Sequence, residues 1–183
     1  MRMKGLLTIV LMLLSLSTYG QISMRDCFLK MPTDLFPYLT ENNRLDCIDF
    51  IDSRMKAEVK DAFGTKITLD TLTANYLHLT IGERVCVEMR LFPISEDSVT
   101  QLLCVSKTFG DSVQQSSLRS YDPNTWQPIA YDKYIYLPKF ADGDFVAISL
   151  PKEGNEIKLT RSFLVGDDRY TYEKELMFVN FEY

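Results

Sequence analysis

The spacing of apolar and polar positions changes period once along the chain. Between residues 44 and 63, Leu45, Ile48, Ile51, Met55, Val59, Ala62 and Phe63 recur at three- and four-residue steps, which places their side chains on one face of an α-helix. Asn43 stands where it caps the first turn, Gly64 where it ends the last, and Asp46 where a negative charge meets the positive end of the helix dipole. Upstream, SMRDCFLKM predicts a shorter helix closed by Pro32. PTDLFPYLT then gives a proline-bounded connection whose Leu35, Phe36, Tyr38 and Leu39 pack back on the helices. The predicted helical segment covers residues 24–63.

From Lys66 onward the period is two. NYLHLTIG, VCVEMRLFP, VTQLLCVSKTF and SVQQSSLRSY are separated by the turn-like GER, ISED and GDS, a β-meander. Centring the ISED hairpin on Ser95 pairs Val85 with Val105, Val87 with Leu103 and Leu91 with Val99. One face then becomes apolar, and Cys86 stands across from Cys104 on the other. Because directly opposed Cα atoms lie about 4.5–5.5 Å apart, these two cysteines are a candidate disulfide. Beyond residue 143 the pattern resumes with DFVAISL, EIKLTRSFLV and YTYEKELMFVNFEY, joined by KEGNE and GDD. A turn centred between Glu153 and Gly154 pairs Ile148 with Leu159 and Leu150 with Ile157. The predicted fold class is α+β: an N-terminal helical segment packed on a mainly antiparallel β-meander, followed by further β-hairpins, with residues 66–183 β-rich.

The first twenty residues change where this fold is expected to reside. MRMK, the apolar GLLTIVLMLLSLS and then TYG form a signal peptide, with cleavage after Gly20 and a single α+β domain over residues 21–183. The apolar run is too short for a comfortable membrane span, so a periplasmic or secreted protein with no span after cleavage is expected. Cleavage removes Arg2 and Lys4 and moves the formal charge from −5 to −7, which argues against nucleic acid as a partner.

Candidate chemistry is sparse. The four cysteines show no CxxC or Cys/His ligand spacing, so neither a structural metal nor a cofactor is expected. Asp46, Asp49 and Asp52 crowd around Cys47, yet each is explained by a solvated helix face, with Asp52 four residues before Lys56 for an ion pair. His78 is the chain's one histidine, so any Cys-His or Ser-His-Asp device must use it. It is expected on the strand face shared by Tyr76 and Thr80, opposite Leu77, Leu79 and Ile81. No nucleophile-elbow pattern accompanies it, and no catalytic residue is assigned.

The least bland stretch is YDPNTWQPIAYDKYIYLPKF, residues 121–140, read as a structured loop with at most one short strand. Trp126, Tyr131, Tyr134 and Tyr136 are its candidate binding surface, since rings on a loop held by a β scaffold stack on sugar or peptide. The competing role for Trp126 and its neighbours is to cover an open end of the sheet as a second core.

At MRDCFLKMPTDLFPYLTENNRLDCIDFIDSRMKAEV, residues 24–59, the chain resembles a family of small exported proteins from Bacteroidales that carries only a domain-of-unknown-function label. The resemblance implies a Gram-negative envelope setting and carries over no site residue. The expected function is a cell-envelope binding or interaction module without catalytic activity, its partner an unknown protein, peptide or glycan. Two alternatives stand beside it. One is a hydrolase using two carboxylates among Asp122, Asp132 and Asp142 on polysaccharide or peptide. The other is a surface-assembly subunit pairing through an edge strand such as YEKELMFVNFEY.

Overall fold

Ser23 opens the first helix, α1 (Met24–Lys30), through a reciprocal capping box. Its Oγ accepts a hydrogen bond from Asp26 N at 3.2 Å, and Asp26 Oδ2 accepts one from Ser23 N at 3.3 Å. The second helix, α2 (Glu41–Asp52), starts at Thr40, whose Oγ1 accepts from Asn43 N at 3.2 Å. Asn43 is therefore inside the helix and Thr40 is its cap. The computed structural model describes residues 21–94, 100–165 and 168–177. The expected signal peptide, most of the ISED turn, the start of the GDD turn and residues 178–183 of the C-terminal strand lie outside them.

Helical spacing through Phe63 overran the helix. α2 stops at Asp52, Arg54 adopts a left-handed φ of 57°, and Val59 belongs to a strand, β1 (Glu58–Lys60). The left-handed Arg54 ends the helix, its N–H donating to Ile51 O at 2.9 Å and Met55 N to Phe50 O at 2.8 Å. Asp61 then sets the later turn, its Oδ1 accepting from Phe63 N at 2.8 Å and Thr65 N at 2.7 Å, with Gly64 at a φ of 82°. A short polar side chain that bonds its own backbone gives the chain an alternative to the helix, and glycine completes the reversal without strain. Of the expected stripe, Ile48 is buried, whereas Leu45 and Met55 are exposed and Phe63 is 91% exposed. Cys47 and Arg44 occupy the buried face instead, with Arg44 Nη1 donating to Leu39 O at 2.8 Å. Asp46 and Asp49 face solvent. Asp52 pairs with Arg25 of α1, while Lys56 reaches Glu58 at 2.7 Å.

A seven-stranded antiparallel sheet follows in simple sequential order: β1, β2 (Lys66–Leu72), β3 (Tyr76–Ile81), β4 (Val85–Pro93), β5 (Gln101–Phe109), β6 (Gln115–Tyr121) and β7 (Pro128–Ile129). A second antiparallel sheet holds β8 (Phe145–Ser149), β9 (Glu156–Val165) and β10 (Asp168–Met177), in the order β10-β9-β8. The described residues are thus α+β, two short helices followed by mostly antiparallel strand. No helix among the described residues is long and apolar enough to cross a membrane.

Alternation along the strands builds two cores. Leu77, Leu79, Val87, Met89, Leu91 and Leu103 face the helices with Met24, Phe28, Leu39 and Ile48. Tyr76, Phe92, Leu102, Cys104 and Leu118 point the other way, against Val146, Ile148, Ile157 and Leu159 of the second sheet. The layers are therefore helices, large sheet and small sheet. The small sheet lies over β5 and β6. Arg90 ties it to β4, donating to Lys152 O and Gly154 O at 3.2 Å each.

The KEGNE register is as expected at Ile148–Leu159, with pairing ending at Ser149–Lys158, one step short of Leu150 and Ile157. The β4–β5 register differs. Val85 pairs with Phe109, Cys86 with Thr108, Arg90 with Cys104 and Leu91 with Leu103. Shifting a partner by four positions keeps every side chain on its own face, so alternation cannot distinguish the two hairpins. Cys104 consequently lies four positions, roughly 13 Å, along β5 from the residue opposite Cys86, beyond the reach of a disulfide. All four cysteines are free thiols.

Candidate functional site

Residues 121–140 wrap around the β6–β7 edge of the large sheet, and their rings divide between its two sides. Asp122 starts the wrap: its Oδ1 accepts from Asn124 N and Thr125 N, each at 2.9 Å. Trp126 N donates to Asp122 O at 2.8 Å. This turn places Trp126 at a φ of 57° and inserts its ring into the helix-side core, 5.3 Å from the Tyr121 ring centroid. Trp126 is only 5% exposed, and its Nε1 is buried without a hydrogen-bond partner. It is a core residue and not a surface anchor. Tyr131 and Tyr134 are half-buried against the inter-sheet core, and Tyr136 alone of the four stands in solvent, 83% exposed. The loop contains the one short strand β7, as expected.

The same wrap leaves room beside β6. A groove of about 470 Å³ lies between Leu118, Arg119, Ser120 and Tyr121 on one side and Pro128, Ile129, Tyr131 and Asp132 on the other. A second cavity of about 290 Å³ sits on the helix side, where Leu35 and Phe36 face Lys107, Phe109, Ser117 and Arg119. The two share Arg119 and Tyr121. β7 pairs with β6 only at Ser120 and Tyr121, so among the described residues no strand pairs with Gln115–Arg119 on this side, while Gln115 Oε1 and Ser116 Oγ accept from Val146 N and Ile148 N of β8 at 2.9 and 2.8 Å.

The second cavity is cationic in an acidic chain. Lys107 Nζ lies over three rings, 5.2 Å from Phe109, 5.3 Å from Tyr38 and 5.6 Å from Phe36. Burial, and then the adjacent Arg119 charge, hold its ammonium below the usual lysine range. Neither Lys107 nor Arg119 has a carboxylate partner among the described residues. The carboxylate candidates for hydrolysis are not assembled here. Asp122 Oδ1 is committed to its own turn, and Asp132 is the one acidic residue lining the groove among the described residues.

A polar cluster occupies the opposite half of the large sheet, on the face the small sheet leaves open. His78 Nε2 lies 3.0 Å from Cys86 Sγ, His78 Nδ1 lies 3.1 Å from Asp70 Oδ2, and Thr80 Oγ1 donates to the same oxygen at 2.7 Å. Thr80 stands directly opposite Cys86, and His78 opposite Glu88. Asp70 enters through a β-bulge: Leu69 pairs with Leu79 and Thr71 with His78, leaving Asp70 as the extra residue, turned toward the histidine. Glu88 Oε1 accepts from the Tyr76 hydroxyl at 2.8 Å and Oε2 from Leu150 N at 3.2 Å. Burial raises its pKa against those hydrogen bonds. Among the described residues no cluster of three or more His, Cys, Asp or Glu is arranged to hold a metal ion.

Residues 16–164 match the family described as protein of unknown function DUF3256. The chain belongs to that family. No protein of curated function matches the sequence. The DUF3256 chain is similar to a solved domain of an uncharacterized protein from Porphyromonas gingivalis W83, at 20% identity and a TM-score of 0.60. That likeness covers 74% of this chain and 79% of the other, and it shows a shared fold. The Bacteroidales resemblance expected from residues 24–59 is thereby found.

His78 lies on the expected strand face, and His78, Thr80 and Cys86 share it because the short GER turn fixes β3 against β4. That turn was the available signal for the cluster. Asp70 had none, since a bulge inserts a residue out of phase with the alternation that identifies a strand. Lys107 and Arg119 were also missed. Their significance lies in forming no ion pair among the described residues, which only the packing of β5 against β6 reveals.

Proposed function

We propose that the protein is an exported envelope binding module that captures an extended acidic segment of a partner protein along the free edge of β6. The observation that carries this reading is the pairing of Lys107 and Arg119, without a carboxylate partner among the described residues, with an open strand edge flanked by a cavity on each face. A strand added to β6 would make main-chain hydrogen bonds with Gln115–Arg119 and send alternate side chains to opposite faces. Acidic side chains would meet Lys107 and Arg119 over the Phe36 and Phe109 rings. Apolar ones would enter the groove of Leu118, Ile129 and Tyr131. Of the rings singled out in the sequence, Tyr131 takes part directly and Trp126 supports the wall from inside. The N-terminal apolar run supports export.

The test is a selection from a peptide display library on the purified protein. Enriched sequences are expected to alternate acidic and apolar residues over about five positions, without proline at the hydrogen-bonding positions. Recovery of sequences with no such alternation, or of basic sequences, would overturn the reading.

A further inference from the structure

The Cys86 cluster lies on the half of the sheet away from the peptide edge and is independent of it. Its geometry has three linked parts. A thiol sulfur stands 3.0 Å from an imidazole nitrogen, the other nitrogen stands 3.1 Å from a carboxylate, and that carboxylate is fixed by a threonine hydroxyl at 2.7 Å. Asp70, as an acceptor beside Nδ1, holds the proton on that nitrogen and leaves the Nε2 lone pair aimed at the thiol. Nucleophile, base and orienting group thus occupy the positions required for assisted attack.

We propose that Cys86, His78 and Asp70 form a nucleophilic thiol site that accepts acyl groups from small uncharged activated esters. As Cys86 Sγ bonds to the ester carbonyl carbon, its proton passes to His78 Nε2. Collapse of the adduct breaks the carbon–oxygen bond, and the leaving alkoxide takes the proton back from Nε2. The products are the alcohol and a Cys86 thioester. Water, deprotonated by the same nitrogen, then releases the carboxylic acid and restores the thiol.

Access and charge support this choice of substrate. Cys86 is partly exposed, the His78 side chain is 29% exposed and Asp70 38%, whereas Cys27, Cys47 and Cys104 are buried. Burial, and then the charges of Glu88 and Asp70, push the Cys86 thiol up to about 12. At neutral pH the thiol keeps its proton and depends on a base to lose it. The groups around His78 are Asp70 from β2, Tyr76 from β3 and Cys86 and Glu88 from β4, with Lys152 beyond β8. Two carboxylates in this set disfavour anionic acyl donors.

The experiment is acetylation of the folded protein by p-nitrophenyl acetate, followed by nitrophenolate release and by peptide mass mapping. With the reaction quenched in acid during the first turnover, one acetyl group per chain is expected on Cys86. His78→Ala should slow the reaction about 100-fold or more at neutral pH, and its remaining rate should rise only with ionisation of the thiol itself. Asp70→Asn should move the pH profile while retaining the site of labelling. Circular dichroism and thermal melting of each variant separate these effects from unfolding. Cys86→Ser, which keeps the shape of the site, should abolish the acetyl adduct. Acetylation at lysine instead of Cys86, or an unchanged Cys86 rate in folded His78→Ala, would overturn the proposal.

Discussion

Replacing Trp126 with alanine is expected to lower the stability of the fold by about 3–5 kcal/mol, the usual cost of removing a large aromatic from a packed core. The ring is 5% exposed and packs on Tyr121 within the helix-side core, while Pro123 of the same turn accepts the Cys27 thiol at 3.6 Å. Alanine would empty this space without relieving the backbone, because the φ of 57° is left-handed and remains unfavourable for any residue with a Cβ. Phenylalanine should cost less. It refills much of the volume and also removes the indole Nε1, which is buried without a partner. Urea unfolding of the two variants beside the wild type measures both effects. A loss below about 1 kcal/mol for alanine would mean that Trp126 does not close the core.

Reversing both charges of the helix-side cavity, Lys107→Glu with Arg119→Glu, is expected to weaken binding of an acidic strand by about 100-fold or more, equivalent to about 2.7 kcal/mol. The cavity then meets the ligand with like charge, and Lys107 also gives up its contacts with the Phe36, Tyr38 and Phe109 rings. Lys107→Gln with Arg119→Gln should lose less, because it removes attraction without adding repulsion. Raising the salt concentration should weaken the wild-type complex and have little effect on the glutamine variant. Calorimetric titration with a selected peptide gives these constants. Equal affinity for wild type and the glutamate variant would place the ligand elsewhere.

The sequence made the layers legible more readily than the contacts between them. Period-two spacing identified the main strands because a half-buried sheet imposes it, and KEGNE fixed its hairpin because a short turn with Gly154 at a φ of 72° leaves little choice of register. The β4–β5 hairpin escaped for the reason already visible in Cys86 and Thr108: an even shift preserves the faces. Residues 57–64 read equally as a continuing helical stripe or as a strand and turn; the left-handed Arg54 ends the helix ahead of them, and Asp61 caps the turn that follows. Composition located the aromatic loop, but not which rings point inward. That depends on the wrap around β6, which buries Trp126 and exposes Tyr136. The Cys86 cluster required a bulged Asp70, and bulges leave no periodic trace.

Hydrogen exchange of the backbone amides, with and without a selected acidic peptide, tests strand capture most directly. Amides of Gln115–Arg119 that point away from β5 should slow on peptide addition, while those of the outer strand β10 remain as in the free protein. Unchanged exchange along β6, with protection appearing at β10 or around Tyr136 instead, would contradict capture at the β6 edge.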